Sequence, residues 1–236
     1  MRFTTHVKVY RDHMDLTVLP DQAAVFDRTA DIVERFIRSN STTALGLSGG
    51  SGPPHIHKSL THRDIPWDTV TAWMSDERWV PPNHEASNQG MARSTLVEPT
   101  GVRLVAPDTT LGSPHDAAAL FEATLVDAGV GGAVSSLVIL GMGADGHTAS
   151  LFPDTEALGI SDRSYVANWV ERHDTWRLTA TYPLIATSDL VLIVVTGQSK
   201  AEMIAEISRG RDVPVAHITC RGDVLWIVDE EAASEL

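Results

Sequence analysis

Leu137-Val138-Ile139-Leu140-Gly141-Met142-Gly143-Ala144-Asp145-Gly146-His147 is the stretch that decides the fold. Four consecutive apolar residues without polar alternation describe a strand buried on both faces, and the glycines end it in a loop. The same grammar recurs along the chain. Ala44-Leu45-Gly46-Leu47 runs into Ser48-Gly49-Gly50-Ser51-Gly52-Pro53-Pro54, Val70–Met74 into Ser75-Asp76-Glu77-Arg78, and Leu190–Val195 into Thr196-Gly197-Gln198-Ser199-Lys200. Tyr165–Val170, Arg177–Ala180 and Leu225–Val228 read as further strands. Helices are expected between them. Asp21 can cap one whose apolar face is Phe26, Ala30, Val33 and Ile37; others span Ser87–Leu96, Pro114–Ala128 and Lys200–Ser208. Alternating strand and helix means an α/β fold, a largely parallel sheet flanked by helices. The Gly/Pro clusters follow strands, so they read as strand-end loops within a single domain, 1–236, and not as linkers. Ligands of open α/β sheets bind outside the carboxyl ends of the strands. Loops 48–54, 75–81, 141–147 and 196–200 are therefore expected on one edge.

The remainder of the chain narrows the class. It has 236 residues, with 18 Lys+Arg against 31 Asp+Glu, a formal net charge of −13. Hydrophobic residues at 43% and charged residues at 21% exclude wholesale disorder. The acidity argues against a nucleic-acid partner or an anionic membrane surface, but an anionic small molecule needs only a few well-placed cations. The single cysteine, Cys220, allows no intramolecular disulfide and no Cys-rich zinc motif. No apolar run approaches the ~18–20 residues of a membrane span. Met1-Arg2-Phe3-Thr4-Thr5-His6 is followed by no apolar signal region, and a cytoplasmic location is expected. Monomer and dimer are both compatible with these features.

Each loop has its own chemistry. In Ser48-Gly49-Gly50-Ser51 the glycines allow positive φ, so that several amides can converge on an anion; otherwise the segment is a tight turn. It is no P-loop, because no Gly-Lys-Ser/Thr follows. Ser199 and Glu202 have capping-box spacing, which would put Lys200 in a first helical turn, where the dipole disfavours a cation unless it faces a negative ligand. Arg78 at a strand end can grip a phosphate with two hydrogen bonds, or pair with a neighbouring acid. Asp145-Gly146-His147 sets a carboxylate two residues from an imidazole, a pairing that fixes a tautomer and prepares a general base. Gly141-Met142-Gly143-Ala144-Asp145-Gly146 matches the dinucleotide pattern G-x-G-x-x-G, but Asp145 would sit inside the pyrophosphate loop and Pro153 comes too soon for the required helix. His55 and His57 form no recognisable metal-binding set. Trp73, Trp79 and Trp226 are expected in core or pocket walls.

Taken in order, these segments resemble the 6-phosphogluconolactonase family. The carriers are Leu47–Ser51; Ser75-Asp76-Glu77-Arg78-Trp79-Val80-Pro81-Pro82, followed by Ser87-Asn88-Gln89-Gly90-Met91-Ala92-Arg93; and Gly141 through His147-Thr148-Ala149-Ser150-Leu151-Phe152-Pro153. Weaker marks are Arg177-Leu178-Thr179, Gly197 with Lys200, and Trp226 with Asp229. The resemblance implies a Rossmann-like α/β fold shared with ribose-5-phosphate isomerase A and glucosamine-6-phosphate deaminase. It implies hydrolysis of 6-phospho-glucono-1,5-lactone, a phosphorylated sugar lactone, in the oxidative pentose phosphate pathway, with no metal or organic cofactor. Carried over to this chain, His147 is the base and Asp145 its partner, while Ser48, Gly49, Gly50, Ser51, Arg78, Arg177 and Lys200 meet the phosphate. Three departures stand out: Gly52 precedes Pro53 where the family has Thr, Asp154 follows Pro153 where Gly is usual, and the family's proline before Arg177 is missing. The deaminase is the nearest rival. Its motif places a glutamate where Phe152 stands and a tyrosine where Arg78 stands. A non-catalytic sugar-phosphate sensor on the same scaffold and a dinucleotide-binding oxidoreductase are the other readings.

Overall fold

A computed structural model describes residues 14–236; the N-terminal stretch Met1–His6 lies outside them. In chain order the elements are β1 (Asp15–Leu19), α1 (Gln22–Arg38), β2 (Thr43–Leu47), α2 (Pro53–Thr61), β3 (Val70–Met74), β4 (Asp76–Arg78) and α3 (Asn88–Ala92). A π-turn (Arg93–Val97) joins α3 to α4 (Glu98–Thr100), followed by β5 (Arg103–Val105), α5 (Pro114–Asp127), β6 (Ser135–Leu140), β7 (Tyr165–Val170) and β8 (Thr175–Ala180). The chain ends with α6 (Tyr182–Ala186), β9 (Leu190–Val195), α7 (Ala201–Ser208) and β10 (Asp223–Asp229).

Seven strands form one sheet in the order β1-β10-β9-β6-β2-β3-β5, and every neighbouring pair is parallel. The central strands are apolar because both faces are covered. Leu45, Leu47, Leu137, Ile139 and Leu192 pack with the apolar stripe of α1 and with Ile56 and Leu60 of α2. Ala44, Val138, Leu140, Val191 and Ile193 join Phe121 and Leu125 of α5 and Ile204 of α7 on the other side. Asp21 caps α1 as expected, its carboxylate accepting from the Ala24 amide at 2.8 Å. Trp73 and Trp226 are buried in the core, and Trp79 packs against it. No helix among the described residues is long and apolar enough to cross a membrane.

Two strands expected from the sequence, β7 and β8, leave the main sheet. They pair antiparallel with each other, and β8 pairs antiparallel with β4, the Asp76–Arg78 segment read from sequence as a loop. The order of the large sheet reverses between β2 and β6: β3 and β5 lie beyond β2, and β9 and β10 beyond β6. The loops leaving β2 and β6 therefore diverge and open a crevice between them, the place where such sheets take ligands.

Candidate active site

The crevice is a cleft of about 280 Å³ lined by all four expected loops, including Ser48, Gly49, Gly50, Ser51, Arg78, His147 and Lys200. Residues up to 174 positions apart in the chain, from Phe26 to Lys200, meet there.

At one end of the cleft, His147 Nδ1 lies 2.5 Å from Asp145 Oδ1. An ionised carboxylate only accepts, so Nδ1 carries the proton and Nε2 keeps its lone pair. The loop that holds this pair is closed by its own backbone: the Gly143 amide donates to the His147 carbonyl at 2.8 Å, and the Gly146 amide to the Gly143 carbonyl at 3.1 Å. The Thr148 hydroxyl ties the loop to the Gly141 carbonyl at 2.8 Å. The imidazole lies so close to Gly143 that a Cβ there would collide with its ring and with Asp145. Behind it, Phe152 stacks on the imidazole with centroids 4.0 Å apart. The His147 pKa is depressed to about 4, chiefly by burial; Asp76 opposes the shift, and Lys200, Arg177 and Arg78 contribute to it. The imidazole is therefore a neutral base near pH 7. The G-x-G-x-x-G match is absorbed by this turn: no helix follows Gly146, so no helix N-terminus is available to a pyrophosphate.

At the other end, Arg78 and Arg177 occupy directly opposed positions on β4 and β8. Like charges directly opposed across an antiparallel pair repel. Neither forms an ion pair with a carboxylate among the described residues, nor does Lys200. The alternative of an Arg78–acid pair is thus not realised; Arg78 instead donates to the Ala86 carbonyl at 2.7 Å. Arg177 does not itself line the cleft, but it stands beside Arg78, and its buried Nε has no hydrogen-bond partner among the described residues. Burial, followed by the Arg78 charge, lowers its pKa, and burial lowers that of Lys200. Three uncompensated cations at one rim favour an anion. Across the cleft Gly50 has φ 109, and the amides of Gly49, Gly50 and Ser51 donate to no protein carbonyl among the described residues. Gly49 is packed on Asn88, whose side-chain amide donates to the Asp76 carbonyl at 3.0 Å.

Lys200 reaches the cleft by a route that differs from the expected one. Ser199 makes no capping hydrogen bond; a 3₁₀ turn (Gln198–Lys200) follows Gly197, whose φ is 91, and α7 begins only at Ala201. The device that holds the turn is Asp229, buried at the end of β10, which accepts the Gly197 amide at 2.9 Å and the Ala232 amide at 2.8 Å. Glu77 does similar service for α3. Its buried carboxylate accepts the amides of Asn88 and Gln89, each at 2.7 Å, and so anchors the segment that packs on Gly49. Burial raises the Glu77 pKa against those bonds. Asp76, also buried, lines the cleft and accepts from Ser150 Oγ at 2.7 Å. Sequence reasoning assigned no role to Asp76, Glu77 or Asp229. Their only local signal was an acid at a strand end, and, Ala232 apart, the partners just given lie 11 to 74 positions away. No group of three or more His, Cys, Asp or Glu side chains among the described residues is placed to hold a metal ion.

Comparison with known proteins places this chain in a family. Residues 21–226 match the family described as glucosamine-6-phosphate isomerases/6-phosphogluconolactonase. The 6-phosphogluconolactonase of Nostoc sp. is 33% identical over 234 residues, covering 93% of this chain and 97% of that protein. The Mycobacterium tuberculosis protein of the same name is 30% identical over 94% of this chain and 98% of its own length. Among solved structures, the 6-phosphogluconolactonase from Trypanosoma cruzi has a TM-score of 0.83 at 25% identity, covering 96% of this chain and 99% of that one. A monomeric glucosamine-6-phosphate deaminase shares the fold, with a TM-score of 0.81 at 20% identity over 94% of this chain and 100% of its own.

Proposed function

The chain belongs to the glucosamine-6-phosphate isomerase/6-phosphogluconolactonase family, and we propose that within it this protein is the lactonase, hydrolysing 6-phospho-D-glucono-1,5-lactone to 6-phospho-D-gluconate in the cytoplasm. The observation that carries the reading is a neutral, carboxylate-oriented imidazole in the same cleft as cations that lack acidic partners. A δ-lactone is an activated ester, so its hydrolysis calls for a base, a donor to the oxyanion and a grip on the phosphate, with no metal or organic cofactor. In this reading Lys200, Arg78, Arg177 and the Ser48–Ser51 amides hold the phosphate. His147 Nε2 takes a proton from water as its oxygen bonds to C1. The carbonyl becomes a tetrahedral oxyanion, stabilised by amides of the Gly-rich loops. Collapse breaks the bond between C1 and the ring oxygen, and the imidazolium returns its proton to that oxygen. Asp145 holds Nδ1–H throughout and stabilises the transient cation.

Phe152 favours the lactonase over the isomerising deaminase. It presents an aromatic face to His147 where the deaminase motif has a glutamate, so this position offers no second acid for moving protons along an open chain. The test is a pH-stat assay on freshly generated 6-phosphogluconolactone. Saturable acid release is expected, with no ammonia from glucosamine 6-phosphate. His147→Ala should lower kcat by at least ~100-fold, the scale of general base catalysis. A near-wild-type rate in that variant would remove the role, and binding without turnover by the unaltered protein would leave the sensor reading.

A further inference from the structure

The β7–β8 hairpin reaches the catalytic pair with a residue that the assignment above leaves unused. Arg172 projects from the turn Glu171–His173 and forms an ion pair with Asp145 Oδ2, the oxygen that does not face His147. Its guanidinium carbon also stands 5.3 Å from the centroid of Phe152, the ring that stacks on the imidazole. One side chain thus touches both supports of His147, the carboxylate at its edge and the aromatic ring at its face. We infer that Arg172 is a positioning residue for the lactonase reaction, locking Asp145 in the orientation that presents its other oxygen to the imidazole. The inference rests on the lactonase reading for its kinetic consequences only.

The physical case is one of geometry. A carboxylate two residues from its histidine, on a glycine-flanked loop, can rotate and offer either oxygen. The second contact removes that freedom before substrate arrives, which is how outer partners of a catalytic group act. Arg172 also offsets the Asp145 charge. The other charged groups acting on the ring are Asp76, Lys200, Arg177 and Arg78, with His173 set edge-on to Phe152 at 5.5 Å. Among them only Arg172 contacts the carboxylate that holds Nδ1.

Arg172→Met keeps the aliphatic stem and removes the charge; Arg172→Lys keeps the charge and loses the fork. The arginine side chain is 45% exposed, so neither change opens the core. For Arg172→Met, kcat is expected to fall about tenfold with KM within about twofold, the scale seen when an outer partner is lost. The acid limb of kcat/KM should move to higher pH, because an uncompensated Asp145 favours the imidazolium. Arg172→Lys should recover part of both. Nitrogen NMR of the His147 ring supplies a readout independent of turnover: the Met variant should titrate at higher pH and populate both tautomers. Loss of kcat with an unmoved acid limb and an unchanged ring spectrum would overturn the inference, as would an unchanged kcat. An inactive wild-type protein would instead overturn the lactonase reading, while the ring titration would still decide the role of Arg172.

Discussion

At the scale of single residues, the site works by opposing pressures on one imidazole. Burial and three cations depress its proton affinity, while Asp76 raises it. The balance predicts how activity depends on pH. In the free enzyme the base is lost only as pH falls through about 4, well below the usual imidazole value of 6.5. The acid limb of kcat/KM should therefore lie near that pH. A phosphate dianion bound as proposed would neutralise part of the charge of Lys200, Arg78 and Arg177, so the imidazolium would be less disfavoured in the complex. The acid limb of kcat should lie at higher pH than that of kcat/KM. Initial rates across pH 4 to 8 at low and at saturating lactone check the order of the two limbs, and the reverse order would contradict this electrostatic account. His147 and Asp145 were legible from the chain because their chemistry is local, a carboxylate and an imidazole across one glycine. Arg172, Asp76 and Asp229 were not, since an acid or an arginine on a loop has no meaning until its distant partner is known.

At the scale of elements, hydrophobic periodicity exposed the buried strands and the amphipathic helices, since each is written within a short window. It did not separate β7 and β8 from the main sheet, because pairing partners are set by what packs around a strand and not by its own residues. Turn chemistry was partly readable. The sequence sets Asp154 after Pro153, where the resembled motif would have glycine, and the structure shows what the position demands: Asp154 is exposed with φ 64, a left-handed conformation. Aspartate visits that region at a cost, whereas glycine enters it freely. Asp154→Gly should therefore stabilise the protein by about 1 kcal/mol, less the chain entropy that glycine adds to the unfolded state. That deduction is about 0.4–1 kcal/mol, so in a chain of this size the net rise in Tm is at most about 2 °C, measured by calorimetry. Activity should not change, because this residue does not line the cleft. A lower Tm would show that the Asp154 side chain contributes something beyond its backbone conformation. Gly52 is the matching case at the start of α2, where the cap makes no side-chain hydrogen bond.

At the scale of the whole molecule, the cleft is where the two sheets meet. The Ser48–Ser51 loop and Lys200 follow strands of the large sheet, whereas Arg78 and Arg177 belong to the small one. In the proposed reaction a phosphate gripped by both groups would link them and would relieve the repulsion between the facing cations. A protein with a formal charge of −13 has no general attraction for a dianion, so binding has to come from this local cup. Inorganic phosphate, or the product 6-phosphogluconate, should therefore stabilise the native state as a ligand that the unfolded chain does not bind. At a concentration about 100 times Kd the gain is about 2.7 kcal/mol, a Tm rise of about 5–10 °C for this length. Losing one charged contact weakens binding by about tenfold or more. Lys200→Ala should then show about half that rise at the same ligand concentration, with its ligand-free Tm close to wild type because the lysine has no ion-pair partner among the described residues to strand. Thermal shift measurements with sodium chloride at matched ionic strength as the control distinguish binding at the cup from screening of the acidic surface. Equal shifts with chloride, or undiminished shifts in the Lys200 variant, would mean that the cations do not form a phosphate site, and the place of Lys200 in the mechanism would fall with it.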